Sequence, residues 1–319
     1  MRTFPRGIFG VFFLSLALFT GACTRESSLP SQERAEWTIF VYGHADHNLS
    51  NSMLIDLREM EAANLSSQVR VIAAIDYDSS QDMPGTTGNY PDGTVVYEIL
   101  GGGQSRVIAT YPEQNFDDVN VMVDLAQKAF TQFPSKRRGL VLWDHGGAWD
   151  GGYGGDTQNG TVRPTSMTVA DVKSAVTTLL GKIRQSKFDF LAFDTCLMGN
   201  LEVAFELKDL AQYFFASAEI DFGPGWDYTA ALNSFVARPT ADVKTLAPEI
   251  IAGWDAHHRT ASVPELYLRT QMGLETAKLD KVAASTAKLT SALVGGALGI
   301  GRITQQLTHS NPTYGTGGT

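Results

Sequence analysis

The chain has 319 residues, 43% of them hydrophobic and 18% charged, and a formal net charge of −9. That balance excludes a disordered chain, and the length suits one large α/β domain or one domain with an appendage. An acidic surface argues against a nucleic-acid partner, which requires a basic one.

Arg2 and Arg6 precede an apolar stretch from Ile8 to Phe19, followed by the small residues Thr20-Gly21-Ala22 and then Cys23. A basic start, a short apolar core and a small-residue exit form a secretory signal, too short to span a bilayer as a stable helix. A cysteine in that place fits a bacterial lipobox, in which Cys23 is diacylated and becomes the mature N-terminus; an ordinary signal peptide cut nearby is the alternative. The expected division is a signal peptide over 1–22, a polar lipid-anchored tether over 23–36, a catalytic domain over 37–235, and a helix-rich extension over 236–319 whose Gly/Thr-rich end, Asn311 to Thr319, is disordered. The expected product is an exported monomer held to the cell envelope by lipid.

Trp37 to Tyr42 reads as a first buried strand, followed by a polar loop, Gly43 to Asn48. Met53, Leu54, Leu57 and Met60 recur at helical spacing, and Val69 to Ile75 is a second strand ending at Asp76. Thr94–Leu100 and Arg106–Tyr111, joined through Gly101-Gly102-Gly103, form a hairpin. Asp117 to Phe133 is an amphipathic helix stopped by Pro134. The apolar run Leu140–Trp143 ends in Asp144-His145-Gly146 and leads into a glycine-rich loop, Gly146 to Gly160, expected to be mobile. Thr168 and Asp171 have capping-box spacing and open a helix to about Ile183. Phe188–Phe193 is a further apolar run, closed by Asp194-Thr195-Cys196. A helix over Leu201–Leu207 and a strand over Tyr213–Ser217 follow, then helices from Tyr228 with one short strand, Leu266–Arg269. Strands alternating with helices imply crossovers and a mostly parallel sheet covered on both faces.

In such sheets the functional site lies beyond the carboxyl ends of the strands, where both His145 and Cys196 fall. Cys196 and Cys23 are the chain's two cysteines. With Cys23 carrying lipid, Cys196 is a lone thiol in an exported protein, either buried as a small apolar residue or kept for its reactivity. His145 can take its proton and later return it to a leaving amine. The N–H of Gly146 can approach a substrate carbonyl closely, and with the N–H of Cys196, at the opening of the next helix, it forms an oxyanion hole. Residues two apart on a strand share a face, so Asp194 points the same way as Cys196. A carboxylate there raises the thiol pKa and makes better sense as a binder of a cationic substrate side chain, unless it only caps the following turn. His44 and His47 read as surface or loop-packing residues, His257 and His258 as solvated or structural. Gly151–Gly155 lacks the lysine of a phosphate loop.

The order hydrophobic block, His-Gly, hydrophobic block, Asp-x-Cys resembles that of the caspase-like cysteine peptidases. Within that clan, the chain is similar to the clostripain family over Trp37–Tyr42, Asp46-His47-Asn48-Leu49, Asp56–Glu61, Asp194–Met198, Ala216–Glu219 and Gly225–Tyr228. The family's first loop usually reads Asp-Asn-Asn-Leu, so His47 is a departure. The resemblance implies a caspase-like, mostly parallel sheet flanked by helices and a cysteine endopeptidase cleaving after Arg or Lys. It implies a Cys196/His145 dyad, with Asp194, Asp221 and Trp226 contacting the substrate. It requires no cofactor and admits calcium, for which Asp150 and Asp156 are candidate ligands. Self-cleavage between the histidine and cysteine strands, known in some relatives, points to Arg163. A silent peptide-binding lipoprotein and a transamidase on the same scaffold are the alternatives.

Overall fold

The structure, a computed structural model, describes residues 34–78, 93–156, 165–221, 225–260 and 269–295. Cys23, the signal and tether, Arg163, most of the expected Leu266–Arg269 strand and the Gly/Thr-rich tail lie outside these residues.

Ten strands and eight helices are formed by the described residues. The strands are β1 (Ala35–Ala45), β2 (Val69–Tyr77), β3 (Gly93–Gly101), β4 (Gln104–Thr110), β5 (Ser135–Trp143), β6 (Tyr153–Asp156), β7 (Thr165–Met167), β8 (Phe188–Asp194), β9 (Ala211–Ser217) and β10 (Gln271–Glu275). The helices are α1 (Ser50–Ala62), α2 (Val119–Gln132), α3 (Ala148–Gly151), α4 (Val169–Lys182), α5 (Leu201–Leu207), α6 (Tyr228–Ala237), α7 (Val243–Thr260) and α8 (Leu279–Gly295). The main sheet has eight strands in the order β10-β9-β8-β5-β1-β2-β3-β4. Its interior from β9 to β2 is parallel, and β10, β3 and β4 run antiparallel on the flanks. This is the expected caspase-like architecture.

The parallel strands are buried on both faces, which is why they read as nearly continuous apolar runs. Along β1, Phe40 and Tyr42 enter the core under α2, α4 and α5, while Trp37, Ile39 and Val41 enter the core with α1, α6 and α7. The period-two alternation thus serves two cores.

The sequence reading and the structure differ where polar residues sit in regular elements. β5 begins at Ser135, five residues before its apolar run. Its first half is held by charge, with Lys136 and Arg137 bonding the Glu36 carboxylate (2.5 and 3.1 Å) and the Arg138 N–H donating to Asp189. α2 starts at Val119, capped by Asp118, because the Asp117 carboxylate is committed elsewhere. Of the loop expected over Gly146–Gly160, the described part, to Asp156, holds α3 and β6, and β6 pairs with β7 in a small second sheet. The described strand after α7 is Gln271–Glu275, which joins the main sheet beside β9. α4 opens with the expected capping box, Thr168 Oγ1 accepting the Asp171 N–H (3.1 Å) and Asp171 accepting the Thr168 N–H (2.9 Å).

At the far edge, β4 is solvent-facing, two irregularities break its register with β3, and Arg106 pairs with Glu98 across the hairpin. No helix among the described residues is long and apolar enough to cross a membrane.

Phe193, wholly buried, meets the rings of Tyr153 (5.9 Å) and Phe214 (5.7 Å) and joins the second sheet to the main one. Phe193→Ala is expected to cost about 3–5 kcal/mol in urea denaturation, against about 1 kcal/mol for Thr168→Ala at the α4 cap. Equal losses would mean that the two sheets are not packed as described.

Candidate active site

The C-terminal ends of β5 and β8 are adjacent, with Trp143 in register with Asp194 and the Asp144 N–H reaching the Asp194 carbonyl at 3.3 Å. The residues just beyond them, His145 and Cys196, line one cleft of about 110 Å³ together with Leu49, Ser52, Asp56, Asp194 and Asp221. The expected base and nucleophile therefore share a cavity. They are not hydrogen-bonded to each other: the Cys196 thiol donates to the Asp221 carbonyl (3.4 Å), and His145 Nε2 faces Asn48 Oδ1 (3.1 Å).

Asn48 Oδ1 offers only lone pairs, so His145 Nε2 carries the hydrogen of this bond and Nδ1 is left as the basic atom. Asn48 lies in the turn after β1, and the ring of its neighbour His47 sits tilted against the His145 ring, 4.9 Å between centroids. Below them lies Asp144, a buried carboxylate. It pairs with His44 through one oxygen and with His47 Nε2 (2.6 Å) through the other, and it also accepts the His145 N–H. His44 Nε2 lies 3.3 Å from Asp117. Of the two expected readings, surface or loop-packing, the structure leaves the second: His44 and His47 are buried and hold the chain after β1 against Asp144. His44 near the end of β1 and His47 in the turn beyond it both point inward, giving Asp144 the partners it needs once it is buried. Burial opposes ionisation of Asp144, but His44 and His47 together hold its pKa at about 2. Burial works against a charged His44 as well, yet Asp144 and Asp117 lift its pKa well above the ordinary value.

Gly146 and Tyr153 form a bridge whose two hydrogen bonds, Gly147 N–H to Gly152 and Gly154 N–H to His145, lie on either side of the pair. The Gly146 N–H consequently has no partner within the bridge. A Cβ on Gly146 would stand 2.0 Å from the Cys196 carbonyl oxygen, so the two catalytic segments can meet only through a glycine. The structure corrects the expectation for Cys196. α5 begins at Leu201, capped by Asn200, so the Cys196 N–H is not at a helix opening and no helix dipole acts on it. A tight turn presents it instead. Leu197 adopts φ +61°, a left-handed conformation costly for a leucine, and is held there by its N–H bond to the Glu219 carbonyl (3.0 Å).

Acidic groups line the other side of the cleft. β8 ends at Asp194, so the shared-face argument does not extend to Cys196, yet the turn brings both residues to the cavity. Asp194 Oδ2 accepts the Tyr228 hydroxyl (2.8 Å) and the Trp226 N–H (3.4 Å). Asp221 Oδ1 accepts from His258 Nε2 (3.1 Å) and Trp254 Nε1 (3.3 Å), both on α7. His258 is thus structural, wholly buried and tied to the site, while His257 stands half-buried 3.9 Å from Glu59. Asp56 on α1, missed as a site residue in the sequence, accepts the Trp143 indole N–H (2.6 Å) and completes the acidic group. Trp226 is corrected: its ring is buried against Phe215 in the core, and only its backbone reaches toward the site, through Asp194.

Burial, reinforced by Asp221, raises the Asp194 pKa well above the usual carboxylate range; burial and then Asp194 do the same to Asp56. Burial also raises the Cys196 thiol, opposed by its bond to the Asp221 carbonyl and aided by the Asp221 and Asp194 carboxyls; burial lowers His145, opposed by Asp144 and aided by the neighbouring histidines. The resting pair is accordingly a neutral thiol and a neutral imidazole.

Among the described residues, two groups have donor atoms close enough together for a metal: His44, His47 and Asp144, and Asp46, Glu113 and Asp156. The first group is already joined by its own ion pairs. The expected calcium pair does not form, because Asp150 is exposed on α3 whereas Asp156 is wholly buried.

A model of the clostripain family matches residues 41–310. Clostripain from Hathewaya histolytica is 26% identical over 225 residues, which is 60% of this chain and 40% of that protein, so the chain spans well under half of its relative's length. Among solved structures, a secreted C11 cysteine protease from Bacteroides thetaiotaomicron in complex with an irreversible peptide inhibitor superposes with a TM-score of 0.63 at 24% identity, covering 79% of this chain and 69% of that one. An inactive zymogen C11 protease from Parabacteroides distasonis gives 0.55 at 20% identity, covering 79% and 65%. At these identities the two structures speak for the fold alone.

Glu59, on α1, accepts the Tyr228 N–H (3.1 Å), and burial raises its pKa from 4.5 to about 7. A carboxyl whose folded pKa exceeds its unfolded value favours the fold when protonated, so its contribution is full below about pH 4.5 and is lost as the pH rises through 7. Glu59→Gln should flatten the fall in stability between pH 5 and 7.5, measured by urea denaturation at both. A pH dependence unchanged from wild type would contradict this assignment.

Proposed function

The chain belongs to the clostripain family, and on that footing we propose that it is a cysteine endopeptidase that cleaves after Arg or Lys. The observation that carries the reading is the single cleft in which Cys196 and His145 face three carboxyl-bearing residues, Asp56, Asp194 and Asp221.

Cys196 Sγ attacks the scissile carbonyl as its proton passes to His145 Nδ1. The imidazolium then protonates the departing amine, and the same imidazole activates the water that releases the acyl group. Asn48 holds the Nε2–H and fixes the ring, a role that sequence reasoning missed. The N–H groups of Gly146 and Cys196 receive the developing oxyanion, and neither donates within the sheet or turns described.

The acidic groups couple specificity to reactivity. An empty cleft keeps the thiol protonated, since burial and the carboxyls of Asp221 and Asp194 disfavour the thiolate. A guanidinium or ammonium in the cleft offsets those carboxylates and lowers the thiol pKa as the substrate arrives. A substrate with an uncharged side chain lacks this effect. Trp226 acts through its backbone hold on Asp194. Export with a lipid anchor at Cys23 remains part of the reading, supported by the N-terminal sequence pattern.

Fluorogenic peptides varied at the residue before the scissile bond test the whole reading. Turnover is expected with Arg and Lys and is abolished in Cys196→Ala. No turnover on either, together with no labelling of Cys196 by a basic acyloxymethyl ketone, overturns it. Asn48→Ala should lower kcat by roughly 10–100-fold, less than the roughly 10²–10⁴-fold loss from removing the base itself. Asp194→Asn should penalise Arg substrates in kcat/KM far more than citrulline analogues; equal losses on both would remove Asp194 from the specificity pocket.

A further inference from the structure

The three carboxyls of the cleft, Asp56, Asp194 and Asp221, are not equally provided for. Asp194 gives Oδ2 to the Tyr228 hydroxyl and the Trp226 N–H, and Asp56 gives Oδ2 to the Trp143 indole. Asp221 alone among them is bonded to an imidazole. Its Oδ1 faces His258 Nε2 (3.1 Å) and Trp254 Nε1 (3.3 Å), while its Oδ2 is buried and meets no donor among the described residues.

His258 is wholly buried, one turn beyond Trp254 on α7, and the two ring centroids lie 4.0 Å apart. Its Nδ1 faces the Trp254 carbonyl at 3.0 Å. A carbonyl only accepts, so Nδ1 carries a hydrogen. Two lone pairs would repel across the 3.1 Å on the other side of the ring, so a proton also lies between Nε2 and Asp221 Oδ1. A buried ring that served packing alone would need neither bond, since an apolar side chain fills the same space without polar atoms to satisfy.

The backbone beside Asp221 is pinned as well. The Leu197 N–H donates to the Glu219 carbonyl, the Glu219 N–H to Thr270 Oγ1 (2.8 Å), and the Cys196 thiol to the Asp221 carbonyl. With the chain held there, the direction of the Asp221 carboxyl is decided by α7. The helix takes up Oδ1, and Oδ2 is the oxygen left for whatever enters the cleft. Burial raises the Asp221 pKa; His258 opposes it most, followed by Trp254 and His257. Asp194 and Asp56, whose burial acts in the same direction, are opposed by neutral donors.

We propose that His258 is a positioning residue for substrate recognition: it ties Oδ1 of Asp221 to α7 and so leaves Oδ2 to the basic side chain of the substrate. This role rests on the reading of the cleft as a pocket for Arg or Lys. It gives that pocket a rigid wall, because donors carried on a helix fix a carboxyl more closely than donors on a loop.

Binding is read on the full chain carrying Cys196→Ala, so that the outcome does not depend on turnover. Fluorescence anisotropy follows a pair of labelled peptides that differ only in Arg or citrulline at one position, and the Arg peptide should bind the more tightly. Adding His258→Leu should weaken the Arg peptide by roughly tenfold or more and change the citrulline peptide by no more than about twofold. His258→Gln places an amide N–H where Nε2 stands and should bring the Arg peptide back to within about threefold of the parent. Unchanged Arg-peptide binding in folded His258→Leu overturns the role, and so does a Gln variant as impaired as Leu. Equal binding of the two peptides to the parent overturns it too. Where His258→Leu loses its cooperative urea transition, Trp254→Phe removes the other donor to Oδ1. A loss of about threefold or more confined to the Arg peptide is then expected, and no loss overturns the proposal. Failure of the catalytic reading shows separately, as a wild-type protein that binds the Arg peptide and cleaves nothing.

Discussion

The buried Asp144 carboxylate is the constraint around which the cleft is organised. It directly follows the strand that delivers His145, and it cannot be buried as a charge without partners. His44 and His47, from the end of β1 and the turn beyond it, supply them. Meeting that need turns the chain after β1 inward, and the turn brings Asn48 against the His145 ring. The acid that sets the loop is thus adjacent in sequence to the base that the loop orients.

Opposite this histidine network, the cleft gathers carboxyls whose own burial keeps them reluctant to ionise. Each is restrained through a different element: Asp56 by Trp143 at the end of β5, Asp194 by Tyr228 of α6, and Asp221 by Trp254 and His258 of α7. α6 and α7 lie at and beyond the C-terminal limit expected for the catalytic domain, yet they fix the acidic wall. Their contribution to the site is electrostatic as well as structural, since they decide where the carboxylates sit relative to the thiol.

Much of the fold was legible because it rests on short-range pattern. Buried parallel strands are apolar throughout, and the Thr168–Asp171 box and the Gly101–Gly103 turn carry their own local chemistry. His145, Gly146, Asp194 and Cys196 could be found because strand ends in such sheets are where sites lie. What stayed hidden depends on long-range charge. The first half of β5 is polar and reads as loop, since its partner Glu36 is about a hundred residues away. His44 and His47 looked peripheral because nothing local reveals that Asp144 will be buried beside them. Asp56 looked like one more acid on an amphipathic helix, and Trp226 like a ligand contact, because an aromatic ring near a site does not announce which way it faces. The meeting of Asp46, Glu113 and Asp156 is likewise a property of the closed sheet.

The irregular pairing of β4 with β3 bears on a different property, the behaviour of the protein in concentrated solution. A sheet with one open side presents a row of unpaired backbone groups to any passing chain, and an edge of regular, flat β-structure would invite a second sheet to add on. Here the register is broken twice, and Arg106 stands on the outer strand beside Glu98. An incoming strand would meet a twisted ladder and a charge to desolvate. The opposite side of the sheet ends in the short β10, partly covered by α7. Both margins therefore work against strand-to-strand polymerisation, which lets a sheet of this width exist in a chain of modest net charge.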